Sequence, residues 1–249
     1  MARALSIQNR LFRANKKKPA ASIMNRIDSS RKNQGGFTLI EIAIVLVIIG
    51  LLVGGVLQGQ ELLQNSRVKQ AVKDMNGTAA AMFAYQDRYG RLPGDDGNTA
   101  ALQARGTSWN SANIGGNADG RLVVATNATF NGSGESGTFW RQLKAAGFIS
   151  GDPADTGVAA LPSNAWGGLL GITTANMGGN LTGNKVCMSQ VPGSAAIAID
   201  NQLDDGSGAT GRVRATQGTS GQNTNPSNNV LGNGGVYSED NVYTVCYRM

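Results

Sequence analysis

The sequence predicts an α+β fold, a long N-terminal helix packed on a C-terminal antiparallel sheet domain. Three observations carry that expectation. From Phe37 to Leu57 the chain is apolar with one charge, Glu41. From Val68 to Phe83 apolar residues recur at spacings of three and four. The residues after 90 are rich in Gly, Asn, Ser and Thr and poor in aromatics, a composition that suits sheets joined by long turns better than a helical bundle.

The apolar run comes first. At 1.5 Å per helical residue it spans roughly 30 Å, the thickness of bilayer hydrocarbon. Gly50, Gly54, Gly55 and Gly59 interrupt it. Small residues permit close approach of neighbouring membrane helices, and they also weaken the helix, so close packing and local unwinding are both open. Beyond the run, Val68, Ala71, Val72, Met75, Ala79, Met82 and Phe83 predict an amphipathic continuation with one stripe turned to a globular domain. The helix is expected to end near Tyr89-Gly90, with Pro93-Gly94 excluding further helix, giving a rod of roughly 80 Å.

In the remainder, Leu92–Gly97 reads as a turn-rich loop and Arg121–Ala125 as a short strand. Thr138 is expected to cap a helix through Ala146 that buries Phe139, Trp140 and Leu143 and stops at Gly147. Ser194 is expected to cap another through Leu203, burying Ala196, Ile199 and Leu203. Gly211–Ala215 and Asn241–Arg248 read as strands, and residues 216 to 235 as an exposed or disordered loop.

Ahead of the apolar run lies Lys32-Asn33-Gln34-Gly35-Gly36, and the run opens Phe37-Thr38-Leu39-Ile40-Glu41. A secretory signal peptide places its cleavage site after the apolar core. Here the cleavable joint, Gly36–Phe37, precedes it, so processing would leave the hydrophobic segment on the mature protein. The segment Gly36 to Glu41 resembles the processing site of type IV prepilins and type II secretion pseudopilins. The resemblance implies cleavage after Gly36 by a prepilin peptidase, N-methylation of Phe37 and a pilin-like fold. It also implies assembly with like subunits and other pilins, on an inner-membrane platform, through N-terminal helices. The implied divisions are a cleaved basic leader over 1–36, a transmembrane half-helix over 37–57, an amphipathic half over 58–89 and a head over 90–249. A leader of 36 residues is long for the short-leader pilins. With 213 residues left after it, the chain is larger than compact major pseudopilins, favouring a pilin or minor pilin-like subunit over a pseudopilin. The expected location is the bacterial inner membrane, leader in the cytoplasm and head exported, then a pilus or periplasmic filament.

Glu41 also has a physical reading. A carboxylate one turn inside a membrane helix is costly unless it finds a partner or reaches the interface. A cation at a neighbouring subunit's amino terminus would pair with it and set the axial register. The alternative is a plain signal anchor whose Glu41 reaches the headgroups.

The formal charge of +6 suggests nucleic acid only at first sight. The first 36 residues carry nine basic groups against Asp28, a net of +8, so the rest carries −2. The basic block reads as the cytoplasmic flank of a membrane helix, attracting anionic lipid, and no nucleic-acid partner is expected. Cys187 and Cys246 fall on the exported side, where an oxidising compartment favours a bond between them, as the resemblance also implies.

With no histidine, a Ser-His-Asp triad, a His-ligated zinc site and a histidine base are excluded, and no catalytic residue, cofactor or metal is assigned. Gly-x-Gly-x-x-Gly occurs at Gly132, Gly134 and Gly137 and again at Gly206, Gly208 and Gly211. Neither lies among repeated βαβ units, so a dinucleotide site is not expected. Asp95-Asp96 and the trio Asp200, Asp204 and Asp205 offer oxygens that suit Ca²⁺, and turn and helix-end roles explain them equally well. Asn76, Asn127, Asn131 and Asn180 fit the N-glycosylation pattern as chance in so Asn- and Thr-rich a chain. Trp109, Trp140 and Trp166 read as core anchors. A membrane-anchored periplasmic enzyme or binding protein is the reading from another functional class.

Overall fold

The computed structural model describes residues 35–112, 116–178, 180–229 and 231–249. Most of the basic leader therefore lies outside the described residues. Two compact units are distinguished, one through Leu51 and one from Leu52 to Met249.

Helix α1 runs Leu39–Tyr89, and Gly90 follows it at φ +65°, a conformation glycine adopts without strain. Gly50, Gly54, Gly55 and Gly59 lie within its unbroken length. In the second unit its buried residues are Val68, Ala71, Met75, Thr78, Ala81, Met82 and Tyr85. Val72 and Ala79 are half-buried, and Phe83 is exposed, contrary to the expected stripe. The reason is angular: at 100° per residue Phe83 lies about 120° around the helix from Ala71, whereas Thr78, Ala81 and Tyr85 lie on Ala71's side. Thr78 is tolerated inside because its hydroxyl donates to the Asp74 carbonyl at 2.8 Å.

Helix α2 (Thr99–Gln103) is capped by Asn98. Helix α3 spans Gly134–Ala145, one turn earlier than expected. Thr138 is not its cap but a buried interior residue whose hydroxyl donates to the Gly134 carbonyl. The C-terminal end is as read from the sequence. Gly147 at φ +77° donates to Lys144 and Phe148 donates to Leu143, the paired bonds of a Schellman motif.

Strands β1 (Leu170–Thr173), β2 (Lys185–Pro192), β3 (Val213–Gln217) and β4 (Val242–Arg248) form one antiparallel sheet in the order β1-β2-β4-β3. Helix α4 (Gly193–Leu203) follows β2 directly. Ser194 is inside it and Pro192 stands at the cap; Ala196 and Ile199 are buried as expected, and Leu203 is half-buried. Arg121–Ala125 is not a strand. It is extended chain tied to the end of β1, with the Val124 carbonyl accepting from Thr174 and Ala175. The core joins α1, α3, α4 and the sheet through Tyr85, Phe139, Trp140, Ile172, Met188, Ile199 and Val245. Trp109 and Trp140 are buried and Trp166 half-buried.

Candidate processing and assembly segment

The N-terminal segment is built from backbone outward. Gly35, Gly36, Phe37 and Thr38 precede α1 and are exposed, with Phe37 at 83 %. Such a peptide is open to a protease, and Gly36 puts no side chain on the amino side of the joint. Thr38 then starts the helix. The backbone N–H and hydroxyl of Thr38 both donate to Glu41 Oε2 at 2.8 Å, and the Glu41 N–H approaches the Thr38 hydroxyl at 3.3 Å. This is a reciprocal capping box of the form Thr-x-x-Glu, which satisfies donors a helix start leaves open. Glu41 therefore has a partner within its own chain. Reading Glu41 only as a buried charge missed this, although Thr38 and Glu41 stand at the spacing that signals it.

Downstream, every residue from Leu39 to Gln58 is exposed. Leu46, Val47, Leu51, Leu52 and Leu57 are each more than 60 % exposed. The helix that carries them is long and apolar enough to cross a membrane. An unpartnered apolar surface of this length is not stable in water and requires lipid or other helices around it.

Residues 31–57 match the prokaryotic N-terminal methylation motif. The chain carries the type IV prepilin and pseudopilin signature. Its match covers the end of the basic segment, the Gly36–Phe37 joint, the capping pair and the exposed apolar part of α1. No curated protein and no solved structure matched the chain. The signature and the long apolar helix fit anchoring in an inner membrane.

The head carries the other expected features. Cys187 in β2 and Cys246 in β4 face each other in register and are disulfide-bonded. Asp95 accepts from the Asp119 and Gly120 N–H groups, and Asp96 from Tyr85 and Arg105, so these buried carboxylates serve the fold. Ligand oxygens of Asp200, Asp204 and Asp205 lie within 4.8 Å of one another. Each also accepts internal bonds: Asp200 from Gly206 and Tyr237, Asp204 from Arg212 and Val213, Asp205 from Ser207 and Thr210. Burial raises the pKa of the Asp200 carboxyl above its ordinary value. These bonds shape the turn from α4 into β3, the role expected of helix-end aspartates.

Proposed function

We propose that this chain is a structural subunit, pilin or minor pilin-like, of a type IV pilus-type filament. In this reading a prepilin peptidase cuts after Gly36, Phe37 becomes the methylated amino terminus, and α1 holds neighbouring subunits together. The observation that carries it is the coincidence of the methylation motif with an accessible Gly36–Phe37 joint and a wholly exposed apolar half-helix. A cut there removes the basic flank and leaves the membrane helix on the product. The half-helix over 37–57 then passes from lipid into a bundle of like helices, where Gly50, Gly54, Gly55 and Gly59 permit close approach. The disulfide-closed head suits an oxidising exterior. A pseudopilin of a type II secretion system would use the same maturation.

Mass spectrometry of the mature N-terminus tests the proposal. A chain beginning with methylated Phe37 is the expected result, with Gly36→Ala leaving uncut precursor and no filaments. A functional protein that keeps its leader overturns it.

A further inference from the structure

Gln70, Lys73, Asp74, Gly77 and Thr78 stand at i, i+3, i+4, i+7 and i+8, one face of α1. Together with Trp140 of α3, Phe148, Ile149, Pro162 and Leu170 of β1, they line a cavity of about 420 Å³. That volume is typical of a small-molecule site. The lining is sorted by polarity. Trp140 and Leu170 are buried, Phe148, Ile149 and Pro162 are half-buried, and Gln70 and Lys73 are exposed on the α1 side. Gly77 adds no side chain to that wall, and a Cβ there would meet nothing within 4 Å, so the space in front of it is open.

Trp140 is the observation that points to a ligand. It is fully buried, and its indole Nε1–H has no hydrogen-bond partner among the described residues. A buried indole N–H ordinarily finds an acceptor, because leaving it unpaired costs free energy. The indole nitrogen donates and never accepts, so the group that completes it is an acceptor such as a carbonyl oxygen. The α1 side sets the other end. Asp74 Oδ1 accepts from Gln70 Nε2 at 2.7 Å, and among the described residues Oδ2 accepts no bond. Burial raises the pKa of this carboxyl. Lys73 stands beside it and forms no ion pair among the described residues. One charge of each sign there favours a neutral ligand, and a hydroxyl suits both by donating to the carboxylate and accepting from the ammonium.

We propose that this cavity binds a small neutral ring compound whose carbonyl accepts from Trp140 Nε1–H and whose outer hydroxyl lies between Asp74 and Lys73. Phe148, Ile149, Pro162 and Leu170 bury the ring. The proposal does not depend on filament assembly. The test is titration of the isotope-labelled full chain in neutral detergent micelles with para-hydroxyacetophenone, read by nuclear magnetic resonance at the assigned indole N–H signals. A saturable downfield shift of the Trp140 signal is expected, with the Trp109 signal unmoved. The analogue para-ethylphenol keeps the ring and hydroxyl but lacks the carbonyl, and is expected to bind about tenfold or more weakly. Gly77→Leu is the deciding variant. Its side chain enters open space at the cavity wall and replaces glycine with a better helix former, so the fold stands while the Trp140 shift is lost. Four results overturn the proposal: no saturable shift in the unmodified chain, an equal shift at Trp109, which marks uptake by the micelle, equal affinity for para-ethylphenol, or an unchanged shift in Gly77→Leu.

Discussion

Thr38 and Glu41 hold each other in a reciprocal capping pair, with two bonds of 2.8 Å to one carboxylate oxygen. The pair gives Glu41 a local role that needs no neighbour, beside the intersubunit pairing proposed for it. The two roles separate by substitution. Glutamine retains the capping acceptor and discards the charge. Glu41→Gln is therefore expected to keep helix α1 and membrane insertion but to lose filament yield, and Glu41→Val is expected to lose filament yield as well. Yield from Glu41→Gln equal to that of the unmodified chain, with loss confined to Glu41→Val, would show that capping alone accounts for Glu41. Circular dichroism in micelles and quantified filament recovery are the measurements.

The Cys187–Cys246 bond joins residues 59 apart in sequence and clamps two central strands, β2 and β4. In the chain-entropy picture, closing such a loop is worth about 4 kcal/mol. Replacing both cysteines by alanine should lower the unfolding free energy of the full chain in micelles, read from urea denaturation, by an amount near that figure. Reductant added to the unfolded wild type should move its refolding midpoint to that of the variant. A midpoint insensitive to both treatments would show that β2–β4 pairing is held by packing alone.

What the sequence made legible depends on how one-sided each element is. The apolar run, the end of α1 at Gly90 and the stop of α3 at Gly147 each rest on local chemistry, and all appear where read. Strands β1 and β2 went unread because neither alternates. All four residues of β1 are buried, and in β2 Lys185 and Ser189 are buried alongside Val186 and Met188, so both faces are covered and the period-two signal vanishes. The Thr38–Glu41 pair was readable but unread. The Asp96 environment was not readable, since it brings a loop carboxylate to Tyr85 on α1 and to Arg105 beyond α2, a meeting set only by folding.

Asp96 ties the loop after α1 back onto the helix. It accepts from the Tyr85 hydroxyl at 2.9 Å and from Arg105 Nη1 at 2.7 Å, while Arg105 lies over the Tyr89 and Trp109 rings. Truncating Asp96 strands a cation and a hydroxyl together. Tyr85→Phe removes one donor and leaves the ion pair. Asp96→Ala should then cost about 2–3 kcal/mol and Tyr85→Phe about 1 kcal/mol. Urea denaturation of both variants checks the order, and equal losses would mean that the ion pair contributes nothing beyond the phenol bond.

Lys185 is wholly buried in β2, its Nζ donating to the Gly183 carbonyl, and burial, aided by Arg248, lowers its pKa to about 8. Unfolding returns the amine to its ordinary value of about 10.4. Between these two values the unfolded chain binds more protons than the folded one, so this group makes stability rise with pH across that window. Below pH 8 both states carry the charge and the folded state bears the full penalty of burying it. Lys185→Met removes the penalty and its pH dependence. The variant should be more stable than wild type at pH 7, by at most about 3 kcal/mol, with the gap closing as pH approaches 10.5. Urea midpoints of both chains at pH 7, 8, 9 and 10 measure that gap. A gap that stays constant across the series would show that Lys185 titrates alike in the folded and unfolded chain.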